Sequence, residues 1–190
     1  MNIENLEESG NTMKFTLNGA RSGQANFIRR MATGYVKCFA INKVTIYENT
    51  SAMFDEYIAH RIGLVPISTP DKFNDTDEIL MTLDATGPKT VYSGEIESQD
   101  KYVKVANKKI PVIKLGNEQR IKMECTAGVG IGARHAKFQA GLVTYEDKGD
   151  GSFAFEIESF GQMEPKDILA NALNAVKDEF KEALKDAKKI

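Results

Sequence analysis

At 190 residues the chain fits one large domain or two small ones, and 42% apolar residues are enough for a real core. Few prolines and modest glycine argue against disorder, and a formal net charge of −2 lacks the basic surplus of a protein that grips nucleic acid alone. The two cysteines, Cys38 and Cys125, stand apart and encode neither a disulfide framework nor a cysteine metal site; with no signal peptide and no apolar run of about 18 residues, a soluble, cytoplasmic setting is expected.

Lys14–Phe15–Thr16–Leu17 alternates as a strand and stops at the turn dipeptide Asn18–Gly19. Ser22 is placed to cap a helix in which Ala25, Ile28, Ala32 and Tyr35 share one face. Phe27 and Met31 lie beside that face, and Arg29 and Arg30 on its flank. Cys38 to Tyr47 is strand-like, with a slip in alternation at Asn42–Lys43 that fits a bulge. Asn49–Thr50–Ser51 offers the start of a second helix, which carries Phe54, Ile58 and Ile62 at spacings of four and stops at Gly63. Leu64 to Ile67 then runs extended. Asp71 to Glu78 is an acidic loop without the central glycine and twelfth-position glutamate of a calcium loop.

Five short strand candidates follow: Ile79–Leu83, Thr90–Tyr92, Tyr102–Val105, Val112–Leu115 and Arg120–Thr126. Strands at this spacing with no helix between them predict a small antiparallel β module. Leu142–Tyr145 and Phe153–Ile157 are joined by Asp147 to Gly151 as a hairpin, whose second arm turns Phe153, Phe155 and Ile157 to one side. Pro165 suits the first position of a last helix. In it Leu169, Leu173, Val176, Phe180, Ala183, Ala187 and Ile190 recur in alternating steps of four and three, a seam held for about three heptads. Its other faces carry charge, with Asp178–Lys181, Glu182–Lys185 and Asp186–Lys189 paired at i,i+3. Such a seam either lies on the chain's own sheet or is completed by another polypeptide.

The order of elements reads as an α+β protein: a discontinuous α/β domain, an antiparallel sheet with helices, interrupted by an inserted β-rich domain. The outer domain is expected at residues 1–46 and 151–190, the insert at 47–150.

Gly128 to Gly132 invites a nucleotide loop, but neither the dinucleotide fingerprint nor the P-loop spacing is present. The glycines permit tight backbone approach to a neighbour; the alternative is a small enzyme holding a phosphate ligand on this loop. The two histidines, His60 and His135, have no zinc-binding spacing and no nucleophile set around them, so no catalytic residue is assigned. Arg29–Arg30, His60–Arg61 and the stretch from Gly130 to Phe138 place cations beside apolar residues, a composition common at protein interfaces.

Gln24-Ala25-Asn26-Phe27-Ile28-Arg29-Arg30-Met31 resembles the first-helix motif of the RNA polymerase assembly subunits. Phe54-Asp55-Glu56-Tyr57-Ile58-Ala59-His60-Arg61-Ile62-Gly63-Leu64-Val65-Pro66-Ile67 is similar to a second block of that family, and Gly130 to Phe138 to a third, found in its archaeal and eukaryotic branch. Ile157-Glu158-Ser159-Phe160-Gly161 followed by Pro165, Ile168 and Ala172 resembles the lead into the family's last helix. Four blocks in the right order point to the archaeal members of this family, which are related to the third-largest subunit of eukaryotic RNA polymerase II and to the bacterial alpha amino-terminal domain.

The resemblance implies that the discontinuous α/β domain is a dimerisation domain made from both chain ends, and that the chain forms a heterodimer with the smaller subunit L, joined by small subunits N and P, on which the large catalytic subunits assemble. It implies no catalysis by this chain, no membrane and no sequence-specific DNA binding. The interface residues it implies are Asn26, Phe27, Arg29, Arg30, His60, Arg61, Arg134, His135, Lys137, Leu169, Leu173, Val176, Phe180 and Leu184. Some relatives carry iron–sulfur or zinc sites. Here Tyr145 to Ser152 leaves only a short turn and two cysteines cannot supply four ligands, so a version without cofactor, iron–sulfur cluster or zinc is expected.

Overall fold

In the computed structural model, which describes residues 1–189, the elements in chain order are β1 (Asn2–Ser9), β2 (Thr12–Asn18), α1 (Ser22–Gly34), β3 (Lys37–Asn49), α2 (Asp55–Gly63), β4 (Glu78–Thr86) and β5 (Lys89–Tyr92). There follow β6 (Glu97–Ser98), β7 (Pro111–Leu115), β8 (Arg120–Ile131), β9 (Gly141–Asp147), β10 (Ser152–Ser159) and α3 (Pro165–Ala187). They form an α+β protein of two compact units. The first holds Met1–Lys37, Ile131–His135 and the chain from Gln139 onward; the second holds Cys38–Gly130 and Ala136–Phe138.

The first unit is built on a sheet of order β1-β2-β10-β9, antiparallel throughout. Alternation turns Met13, Phe15 and Leu17 of β2 and Phe153, Phe155 and Ile157 of β10 to one buried face. Phe15 and Phe155 are directly opposite in register and their rings stack with centroids 5.0 Å apart. Ala25, Ile28, Met31 and Ala32 of α1 and Ile168, Leu169 and Ala172 of α3 supply the rest of the buried layer.

The second unit has a four-stranded sheet of order β3-β8-β4-β6 and a β5-β7 pair. Phe39 and Ile41 of β3, Ile58 and Ile62 of α2, Met81 and Leu83 of β4, and Ile121 and Met123 of β8 share one core. This division differs from the expected one at both borders. Cys38 to Ile41 are buried and Phe39 and Ile41 join the second core, while β9 is zipped to β10 from Gly141–Ser159 to Asp147–Phe153 and belongs to the first sheet. Hydrogen-bonded pairing and burial override position along the chain.

Several local expectations change in the same way. The polar start is a strand, β1, exposed at every residue and held by pairing with β2. Arg21, not Ser22, caps α1, with its N–H donating to Gln24 Oε1 at 2.9 Å. Asn49 organises a turn, donating to the Met53 carbonyl and accepting from Ser51 N–H, and the helix cap is Phe54, which is 71% exposed and does not join Ile58 and Ile62 in the core. Tyr35 ends α1 and is likewise exposed. Tyr102–Val105 alternates as expected but meets only a single bridge, Val105 to Ile67, so no strand forms. Ile190, the last seam position, lies outside the described residues.

Candidate subunit interface

α3 starts where Pro165 occupies a position whose N–H has no partner in any helix, behind Glu164 as the cap. Its first turns bury Pro165, Ile168, Leu169 and Ala172. A helix of 23 residues runs roughly 34 Å, whereas the strands beneath it, of 7 and 8 residues, reach only about 24–27 Å. The helix therefore outruns its sheet. Val176 is half-buried, and Leu173, Phe180 and Leu184 stand 37%, 64% and 58% exposed, with Ala183 and Ala187 open as well.

α1 continues this surface. Phe27 meets Phe180 edge to face, and Arg30, Met31 and Tyr35 line a cleft of about 200 Å³ with Glu179. Asn26 Oδ1 accepts two hydrogen bonds from the Arg29 guanidinium, at 3.2 and 3.0 Å, which holds that side chain along the helix. Aromatic and aliphatic side chains with arginine at their margin are the composition of an interface core and rim. Tyr35 and Glu179 line this cleft and were not among the expected residues. Tyr35 was hidden by an apparent place on the buried face, and Glu179 by its place in a run of exposed charge.

The other expected residues lie elsewhere. His60 is exposed on α2. Arg61 spans from α2 to β7, donating from Nε to the Val112 carbonyl at 2.8 Å and from Nη2 to the Pro111 carbonyl at 2.7 Å. Lys137 Nζ donates to the Ile41 carbonyl and to Asn42 Oδ1 and sits over the Phe138 ring, and its burial lowers its pKa. Arg134 and His135 are exposed in a turn that belongs to the first unit.

Gly128 to Ile131 run as the end of β8, not as a loop opening a helix, the geometry in which successive N–H groups converge on a phosphate. A Cβ on Gly130 would fall 2.7 Å from the Phe138 ring, and one on Gly132 would fall 2.6 Å from the Thr33 carbonyl oxygen. These glycines serve close packing. Cys38 and Cys125 are buried, and burial pushes each thiol up to about 12, the opposite of what a thiolate ligand needs. Among the described residues no group of three or more His, Cys, Asp or Glu is placed to hold a metal ion.

Residues 41–147 match the RNA polymerase Rpb3/RpoA insert domain family. Over 166 residues the chain is 42% identical to the DNA-directed RNA polymerase subunit Rpo3 of Methanocaldococcus jannaschii, covering 87% of this chain and 85% of that protein. The chain belongs to the Rpo3 family of DNA-directed RNA polymerase subunits. The Rpo3 of Pyrococcus furiosus is 41% identical over 76% of the chain, and that of Natronomonas pharaonis 36% over 72%. The chain spans 58% and 56% of the length of these two Rpo3 proteins, so it is short beside them. In this Rpo3-family chain the insert-domain match begins at Ile41 in β3 and ends at Asp147, the last residue of β9. No helix among its described residues is long and apolar enough to cross a membrane.

Proposed function

We propose that the chain is a non-catalytic assembly subunit of a DNA-directed RNA polymerase, the archaeal counterpart of the third-largest subunit of eukaryotic RNA polymerase II. It pairs with a smaller alpha-like subunit, subunit L, through α1 and α3. The observation that carries this reading is the open seam, in which Leu173, Phe180 and Leu184 are exposed on a helix whose first turns are buried. A partner helix laid along this stripe covers it, and a stable contact of this kind buries about 1,200–2,000 Å². Small subunits N and P and the large catalytic subunits then assemble on the pair, and nucleotidyl transfer belongs to those large subunits.

Co-expression with a subunit-L-type chain, followed by mass measurement in solution, tests the pairing. A one-to-one complex is expected, and Leu173→Asp is expected to abolish it. A chain that stays monomeric or pairs only with itself in the presence of that partner overturns the reading. We also hold that the chain works in the cytoplasm without an iron–sulfur cluster or zinc, and stoichiometric iron or zinc in the purified protein would refute the latter.

A further inference from the structure

The net charge of −2 hides a short run of one sign in the second unit, which follows Glu95, Glu97 and Asp100. From Lys101 to Lys109 the chain carries Lys101, Lys104, Lys108 and Lys109 and no carboxylate, and all four lysines are exposed. This segment is pinned in place. Val103 and Val105 are 3% and 8% exposed and belong to the second unit's core. Ser68 N–H donates to the Lys104 carbonyl at 2.7 Å, and Lys104 N–H donates back to Ser68 Oγ at 2.9 Å. Asp100 Oδ1 accepts the N–H groups of Tyr102 and Val103, and Asn107 Oδ1 accepts that of Lys109.

With Val103 and Val105 inward, extended alternation turns Tyr102 and Lys104 out. Tyr102 is 65% exposed, and the Lys101 ammonium lies over its ring, 5.5 Å from the centroid. Lys104 and Lys108 line a common groove of about 320 Å³, with Gly94, Ile96, Val105 and Glu97. Among the described residues none of the four lysines makes an ion pair.

We propose that this basic-aromatic surface binds single-stranded nucleic acid without reading its sequence. The lysines neutralise phosphates, and the Tyr102 ring, 65% exposed, offers the face away from the Lys101 ammonium as a platform on which a base stacks. An acidic peptide would satisfy the lysines but leave the tyrosine ring without a flat partner. This activity goes beyond the assembly role and does not depend on it.

The full chain is titrated into fluorescein-labelled U12 RNA and dT12 DNA at about 50 mM salt, with anisotropy as the readout. Saturable binding that weakens steeply with salt is expected, and the relative affinities tell whether RNA or DNA is the source. Lys104→Glu with Lys108→Glu should lower affinity at least about tenfold and flatten the salt dependence, because two phosphate contacts are lost. Tyr102→Ala should lower it at least about fivefold while leaving the salt slope unchanged. The same double charge reversal on α3, Lys177→Glu with Lys185→Glu, should have little effect. Equal loss in the α3 variant, no loss in Tyr102→Ala, tighter binding of a labelled glutamate dodecamer, or no binding of either oligonucleotide would each overturn the proposal.

Discussion

Phe27 of α1 and Phe180 of α3 meet edge to face, with ring centroids 6.0 Å apart and planes at 65°, while 38% and 64% of their surfaces remain open. The pair ties the two helices together on the side where the seam is uncovered. An edge-to-face pair contributes about 0.5–1.5 kcal/mol beyond its burial. Phe180→Asp is therefore expected to cost the isolated chain no more than about 1–2 kcal/mol in urea denaturation. Against a subunit-L-type partner it should cost several kcal/mol, since a carboxylate is then desolvated in an apolar contact. Titration calorimetry of the variant checks the second half; unchanged affinity would remove Phe180 from the contact.

Arg61 behaves differently. Its guanidinium is committed to two carbonyls of β7, so Arg61→Ala should destabilise the second unit by about 1–3 kcal/mol with or without a partner. Arg61→Lys should recover only part of this, because an ammonium lacks the planar fork that reaches both oxygens. Thermal unfolding of the three proteins decides the point. A variant as stable as the parent but defective in assembly would make Arg61 an interface residue after all.

The glycine-rich stretch separates packing from ligand binding. Gly128 has open space where a Cβ would go, so Gly128→Ala should change stability by no more than about 0.5 kcal/mol. Gly130→Ala must displace the Phe138 ring, and Gly132→Ala meets the Thr33 carbonyl, which cannot move without the backbone. Each should cost about 1–3 kcal/mol, with Gly132→Ala the more severe. Equal tolerance at all three positions in a denaturant series would contradict the packing role.

On the second sheet, Arg120 Nη2 donates to Asp84 Oδ2 at 2.8 Å, and Nε to Asp84 Oδ1 at 3.1 Å. That hydrogen-bonded guanidinium, aided by its charge and that of Lys122, holds the Asp84 carboxyl below its usual range. A carboxyl lowered on folding stabilises above the unfolded value, and the contribution is lost as pH falls through the folded one. The pair is exposed, so the effect is small and screened by salt. The urea midpoint of the parent should exceed that of Asp84→Asn at about pH 7 and low salt, and the gap should close as pH falls through the lowered carboxyl value of the folded chain. A gap that widens on acidification would reverse the assignment.

Much of this protein was legible along the chain. Alternation at Phe153, Phe155 and Ile157, the proline opening α3 and the stripe of Ile28 and Ala32 on α1 are local facts, because side-chain direction follows from backbone period alone. The four motif blocks pointed to the family for the same reason, since residue identity is carried in the sequence itself. The candidate interface was legible only in part. Phe180 and Leu169 both occupy seam positions, yet one is open and the other buried. That difference depends on how far the sheet beneath the helix extends, which no window of sequence contains. Tyr35 and Phe54 fit their helical faces by spacing and fell outside the core because each sits at a helix end. Strand β1, too polar to declare itself, exists through its pairing with β2, and β9 joined the first unit through its ladder to β10. The sequence by itself determined the three helices, most of the strands and the family to which the chain belongs. Only the tertiary structure decided which apolar residues are left for another molecule, because coverage is set by contacts between segments far apart in the chain.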